Sequence, residues 1–211
     1  MLIILVLKMK LLIIFIFMAY LPIKIWANDT IKLEEKYRFE KGSHFSKPRN
    51  LFSRSIELPD TLRWSCRFDK SCCYYINDEN GKMQEDQWDY NKLTGITFSP
   101  LNPLNNTAMV GWRHNPQSSY IELVPYWHVN KKRFFKEKPF LTVQPNEKFI
   151  VEIIADKIKN EVTIIIKTKK NILKETMTFD KIPDSASLIH PYFGGTSRAP
   201  SAMELYLKRL R

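Results

Sequence analysis

The chain has 211 residues, 44% hydrophobic and 26% charged, proportions that exclude a disordered or low-complexity protein and are those of one globular domain. Its formal net charge is +11, which makes it a basic protein, and its six glycines leave little room for glycine-rich phosphate loops. No zinc-ligand spacing and no nucleophile elbow occurs, so no motif names a reaction, and no cofactor is expected.

The first 27 residues, "MLIILVLKMKLLIIFIFMAYLPIKIWA", hold three charges, Lys8, Lys10 and Lys24, and no acid. From Met9 they read as a basic start, an apolar run from Leu11 to Leu21, the helix-breaking Pro22 and the small Ala27, the layout of a cleaved export signal. The large Ile25 and the additional "MLIILVLK" fit an uncleaved anchor as the alternative. The first cysteine is Cys66, so lipid attachment at a mature amino-terminal cysteine is not indicated. The expectation is an exported protein, periplasmic, at the cell surface or secreted, with residues 28–211 as its single domain and membrane contact only if the leader is retained. Loss of the leader removes three of 33 basic residues and none of 22 acidic ones, leaving a net charge of +8. Such a surface attracts polyanions through a salt-sensitive field. The lysines are nonetheless spread along "KIKNEVTIIIKTKKNILK" as on a solvated strand face, so no specific nucleic-acid binding is expected.

Past the leader, "KYRFEKG" alternates Tyr37 and Phe39 as an edge strand ending at Gly42, and the turn-rich "GSHFSKPRN" follows. "TLRWSCRF" and "CCYYIN" read as the next strands. They bring Cys66, Cys72 and Cys73 within eight residues, and in an exported chain one disulfide is expected, Cys66 with Cys72 or Cys73 across a hairpin. A metal at these cysteines lacks a nearby histidine and a fourth ligand. Asn80-Gly81 in "NDENGK" marks a hairpin turn. An EF-hand reading of the same patch puts Ile76 at the first ligand position and fails. In "EDQWDYNKL", Asp86, Asp89 and Asn91 could approach a metal, but a turn and a strand start account for them more simply.

Further strands read as "QWDYNKLTGITF", "AMVGWRHN", "SYIELVPYWHV", "FLTVQP", "KFIVEIIAD", "EVTIIIKTK", "LKETMTF", "SLIHPYF" and "AMELYLKRL", separated by Pro, Asn and Gly loops. About ten to twelve short strands at spacings of about ten residues, with no helix of three turns after the leader, predict an all-β antiparallel β-sandwich of jelly-roll or concanavalin-like type. No internal repeat of fixed period is visible, which argues against a propeller or solenoid.

Alternation in "SYIELVPYWHV" places Tyr120, Glu122, Val124, Tyr126 and His128 on one face and Ile121, Leu123, Pro125, Trp127 and Val129 on the other. By the same parity Arg113 opposes Trp112 and His114, and His190 points with Tyr192, away from Pro191 and Phe193. Arg113, Tyr120, Glu122, Tyr126, His128, His190 and Tyr192 are therefore the candidate ligand-binding residues. Aromatic rings stack on the apolar faces of sugars, while carboxylate and guanidinium groups take their hydroxyls, and Arg113 would neutralise the carboxylate of an acidic sugar. The same side chains could carry out β-elimination on a uronic acid, with Tyr126 or His128 taking the C5 proton. Hydrolysis would need two carboxylates about 5 to 10 Å apart, and Glu152 and Glu204 sit on other strands than Glu122. For any single one of these aromatic and histidine side chains, packing in the core or in cross-strand pairs is the simpler role.

"DQWDYNKLTGITF", "AMVGWRHNPQSSYIELVPYW" and "HPYFGGTSRAP" together resemble a family of small uncharacterised bacterial proteins. Its members share Asp-Gln-x-Asp-x-Asn-Lys-Leu-x-Gly, Gly-Trp-Arg and a closing Pro-Tyr-Phe-Gly-Gly-x-x-x-Ala-Pro. The resemblance spans Gln84 to Leu207 and implies a concanavalin-like or jelly-roll sandwich, with no activity to carry over. Where the family continues with His-Asp, this chain has Ser201 and Ala202, so a role for that pair does not transfer. In "IHPYFGGTSRAP", Gly194 and Gly195 allow a bend and Pro200 cannot donate to a ladder, so the segment is expected to cross one end of the sandwich, with Tyr192 and Arg198 at its rim. Three functions follow as expectations: a module binding an acidic or neutral glycan, a polysaccharide lyase or glycoside hydrolase, and a structural envelope or surface protein.

Overall fold

A computed structural model describes residues 34–48, 55–99, 101–102 and 105–210. The expected leader lies outside the described residues. Fourteen strands follow in chain order: β1 (Glu35–Phe39), β2 (Ser46–Lys47), β3 (Ile56–Glu57), β4 (Thr61–Phe68), β5 (Asn91–Thr97), β6 (Thr107–Asn115), β7 (Tyr120–Val129), β8 (Lys132–Phe135), β9 (Leu141–Val143), β10 (Phe149–Asp156), β11 (Glu161–Lys167), β12 (Ile172–Thr178), β13 (Ser185–Ile189) and β14 (Met203–Leu210). The only helices among the described residues are short 3-10 turns at Lys70–Cys72 and Glu85–Trp88.

The strands form two antiparallel sheets, the first ordered β12-β11-β10-β4-β14-β1-β2 and the second β3-β13-β5-β6-β7-β8, with β9 also paired to β7. The protein is an all-β antiparallel β-sandwich. Local sequence explains the hairpins. In β10 and β11 the β-branched residues alternate in burial, and the turn between them is closed by Asp156, whose carboxylate accepts from the backbone N–H of Ile158 and of Lys159, both at 3.0 Å. Asn160 completes it at φ 55°, a conformation asparagine tolerates.

Between the sheets lies a core in which Val151, Ile153, Val162, Ile164 and Ile166 of the first sheet face Ile96, Val110, Ile121 and Leu123 of the second. At one end Phe68 packs on Trp112 and Phe149, with centroids 4.9 and 5.6 Å apart. Each such side chain contributes about 1.5–3 kcal/mol by leaving water.

Two local expectations are corrected. "CCYYIN" is not a strand: a 3-10 turn holds Cys72, and only Asn77 forms a bridge, with Met83. The expected disulfide is absent, since Cys66, Cys72 and Cys73 are all free. The reason is that β4 carries Cys66 into the centre of the first sheet, opposite Phe149 and Leu207, while the following turn ties Cys72 to β14 through its thiol and the carbonyl of Glu204, at 3.0 Å. Burial pushes all three thiols up, so none is an activated nucleophile.

Candidate functional site

β6 and β7 are paired without a break, Thr107 opposite His128, Met109 opposite Tyr126, Gly111 opposite Val124 and Arg113 opposite Glu122. All of these face away from the main core, while Trp112, Leu123 and Trp127 face into it. Tyr126 and Val124 belong instead to a second apolar cluster with Tyr90 and Met109, against which Phe135, Phe140 and Ile189 pack. The structure thus brings Arg113, Glu122, Tyr126 and His128 to one outer face. Tyr120 shares that face by register but stands at the strand end, exposed, accepting from Gln144 Nε2 at 3.4 Å.

Arg113 and Glu122 serve each other. Arg113 Nε donates to Glu122 Oε2 at 2.7 Å and Nη1 donates to the carbonyl of Trp88 at 2.6 Å, while the guanidinium lies 4.3 Å over the Tyr90 ring. The other carboxylate oxygen of Glu122 accepts from Asn115 Nδ2 at 2.7 Å. With both oxygens engaged and the residue buried, Glu122 is a fixed counter-ion to Arg113 and no free base. Glu152 and Glu204 lie on the outer face of the first sheet, paired with Arg63 and Lys167 and with Lys36 and Arg38, so neither joins Glu122 as a hydrolytic partner.

The centre of the face is Tyr126. Phe135 stacks on it at 5.3 Å and 5°, His128 meets it edge-on at 5.5 Å, and the Lys92 amine lies 5.0 Å over its ring. Lys92 Nζ donates to the carbonyl of Tyr90 at 2.9 Å. Burial lowers the Lys92 amine to about 8, with Asp89 pulling it up and Arg133 pushing it further down. The same burial, aided by Lys92 and Arg133, lowers His128 to about 4, so its imidazole is neutral at pH 7, with Nδ1 3.0 Å from Thr107 Oγ1. Burial raises the Tyr126 phenol and pushes that of Tyr90 up to about 12, and the Tyr90 hydroxyl is buried without a hydrogen-bond partner.

The closing bend is built against this centre. Tyr192 pairs with Lys92 through two backbone hydrogen bonds of 2.8 and 2.9 Å, and Gly194 N–H donates to Asn91 Oδ1 at 2.9 Å. A Cβ on Gly194 would stand 2.5 Å from Lys92 Nζ, and one on Gly195, at φ +87°, would stand 2.5 Å from Asp89 Oδ2. Gly195 is required by its backbone conformation as well as by the approach of Asp89, whereas a side chain at Gly194 would displace only the end of Lys92. The half-buried Tyr192 ring stacks on His44 at 5.6 Å and 9°, with Phe45 edge-on at 5.3 Å. His190 does not accompany Tyr192: it turns toward the first sheet and stacks on Tyr37 at 5.9 Å. The reason is that Ile189 and Phe193 fill opposite clusters, which requires the chain to twist between them at Pro191.

Nothing in the sequence singles out Lys92, Tyr90 or Arg133. Tyr90 and Lys92 share parity in "DYNKL", a signal that becomes readable only once that segment is known to neighbour β6. Arg133 sits on β8, opposite His128, in a stretch where no strand is expected.

No family model and no curated protein matches the chain. Among solved structures it is similar to basic winged bean lectin with Tn-antigen, at 10% identity over 84% of this chain and 99% of that one, with a TM-score of 0.40. It is also similar to peanut lectin with a 9mer peptide, at 9% identity over 85% and 99% of the two chains and a TM-score of 0.39. Lectin I from Ulex europaeus, in complex with the methyl glycoside of α-L-fucose, gives 11% identity over 85% and 98% and a TM-score of 0.35. At such identities none of these lends this chain a residue role or a ligand.

Proposed function

We propose that this chain is an exported carbohydrate-binding protein, and that the outer face of the second sheet takes an acidic glycan. The observation that carries this reading is a pair of cations, Lys92 and Arg133, placed beside aromatic rings and in no ion pair among the described residues, with Asp89 acting on Lys92 only from beyond ion-pairing distance. Arg113, by contrast, is already neutralised by Glu122. A uronate carboxylate would satisfy Lys92 and Arg133, and the half-exposed rings of Tyr192 and Phe135 offer apolar faces to the sugar rings. Calorimetric titration with neutral and uronate oligosaccharides tests the reading. Uronates should bind, more weakly as salt screens the cations, and Lys92→Met should weaken them by about tenfold or more. Silence across acidic glycans at low salt would overturn it.

A second reading, uronate β-elimination, is favoured by the position and lowered proton affinity of Lys92, which leaves a neutral amine available near pH 8 where the Tyr126 phenol stays protonated and His128 is only weakly basic. The neutral amine is the active form, so turnover, followed as an unsaturated product absorbing in the ultraviolet, should rise as pH passes through about 8. Lys92→Arg should keep binding and lose turnover. A rate unchanged in that variant would rule the assignment out.

A further inference from the structure

The space between the sheets is incompletely filled where β1, β14 and β13 approach one another. A cavity of about 380 Å³ lies there, with Glu35, Tyr37, Trp64, His190, Leu207 and Arg209 in its walls. That volume is in the range of small-molecule sites, about 300–1,000 Å³. It lies on the opposite side of the second sheet from Lys92 and Tyr126, since Tyr37, Trp64 and Leu207 belong to the core between the sheets.

The polar groups of this cavity form a chain with a free end. The Tyr37 hydroxyl donates to Glu35 Oε2 at 2.9 Å, and its oxygen lies 3.2 Å from Nδ1 of His190. Because the phenol proton is committed to the carboxylate, Nδ1 of the neutral ring is the donor to the phenol oxygen, which leaves Nε2 as an acceptor. Nε2 is buried and has no hydrogen-bond partner. Arg209, cross-strand from Trp64, engages in no ion pair or side-chain hydrogen bond among the described residues. Leu207 stands opposite Glu35, so an apolar wall separates the acidic and basic ends of the cavity.

An unfilled acceptor, an unpaired guanidinium and an apolar wall between them match one class of molecule. We infer that the cavity is a second ligand site, for a small organic carboxylate with an apolar body and one hydroxyl or ammonium donor. The carboxylate meets Arg209, the body rests between Trp64 and Leu207, and the donor completes the chain of Glu35, Tyr37 and His190. A guanidinium without an ion-pair partner favours a carboxylate through a charge-assisted hydrogen bond. A buried acceptor discriminates strongly against ligands lacking the donor, because it then stays unpaired.

Ligand-observed NMR and calorimetry on the purified full chain test this with three probes: 4-hydroxyphenylacetate, phenylacetate without the hydroxyl, and 4-hydroxyphenylacetamide without the charge. The first should bind, and the other two about tenfold more weakly. Arg209→Gln, at a half-exposed position that the fold tolerates, should abolish the preference for acid over amide, and His190→Phe should abolish the preference for hydroxyl while keeping that for acid. Circular dichroism confirms that each variant is folded. Absence of binding at millimolar probe, equal binding of acid and amide to the unaltered protein, or an acid preference that survives Arg209→Gln would each overturn the inference. An excess of acidic oligosaccharide should not compete. If the outer face binds no glycan at all, the Arg209 comparison still decides this cavity independently.

Discussion

Burial in the outer face of the second sheet acts on each titratable side chain according to the sign of its charge, and His128 shows the consequence most directly. Its proton affinity falls from the ordinary 6.5 to about 4 because the ring is desolvated and faces Lys92 and Arg133. Below pH 6.5 the unfolded chain takes up a proton that the folded chain refuses, so stability is full above 6.5 and is lost as pH falls toward 4. The size of that loss is about 3 kcal/mol as an upper figure. Urea denaturation at pH 7, 5.5 and 4.5 should show a shallower decline for His128→Gln than for the unaltered protein, and equal slopes would refute the assignment. His114 and His190, both lowered by burial, act in the same direction and set the background slope. Glu122 is a case of the opposite kind, a buried charge kept in place by a partner. Glu122→Ala would leave the Arg113 guanidinium, with a side chain only 12% exposed, without its counter-ion. A loss of about 3–5 kcal/mol is expected, read as a shift of the denaturation midpoint. Which side of its strand each of these residues occupies was legible from alternation. Which of them would be satisfied internally was not, because Arg113, Asn115 and Trp88 meet Glu122 and one another only across strands and a loop.

At the scale of elements, the bend from Tyr192 to Pro200 is the most informative. Its glycines read as a turn signal, and it does leave one strand and lead into the next. Its position over β5 comes from contacts that no local pattern encodes: Gly194 to Asn91, Tyr192 to Lys92 and Ala199 to Ser43. The two glycines should respond differently to alanine. At Gly194 the added Cβ meets the far end of the flexible Lys92 side chain, so stability should change little while Lys92 is displaced and glycan binding falls. At Gly195 the backbone is at φ +87°, where an L-residue costs about 1–2 kcal/mol, and the Cβ also meets Asp89. Gly195→Ala should therefore lower the melting temperature, and Gly194→Ala should not. The reverse order would show that the bend is held by other means.

At the largest scale, the described residues form two seven-stranded sheets closed on a shared core, with the three thiols inside or half inside and none joined to another. Reductant should leave its melting temperature unchanged, whereas a bridge between Cys66 and either later cysteine would contribute about 2–4 kcal/mol and make the unfolding transition sensitive to dithiothreitol. The basic surface belongs to this scale too. On the first sheet Glu152 and Glu204 pair with Arg63, Lys167, Lys36 and Arg38, whereas Lys92 and Arg133 on the other sheet and Arg209 on β14 form no ion pair among the described residues.

The sequence by itself determined the all-β class, the hairpin from β10 to β11, the Asn80-Gly81 turn and the face on which each β7 side chain stands, because side-chain alternation and turn chemistry are properties of a few consecutive residues. Tertiary structure alone decided that Cys66 and Cys72 would part, that His190 would turn toward Tyr37, and that Lys92 would come to rest on Tyr126. Those outcomes depend on strand order, which brings residues far apart in the chain to within a few ångströms and which no short stretch of sequence specifies.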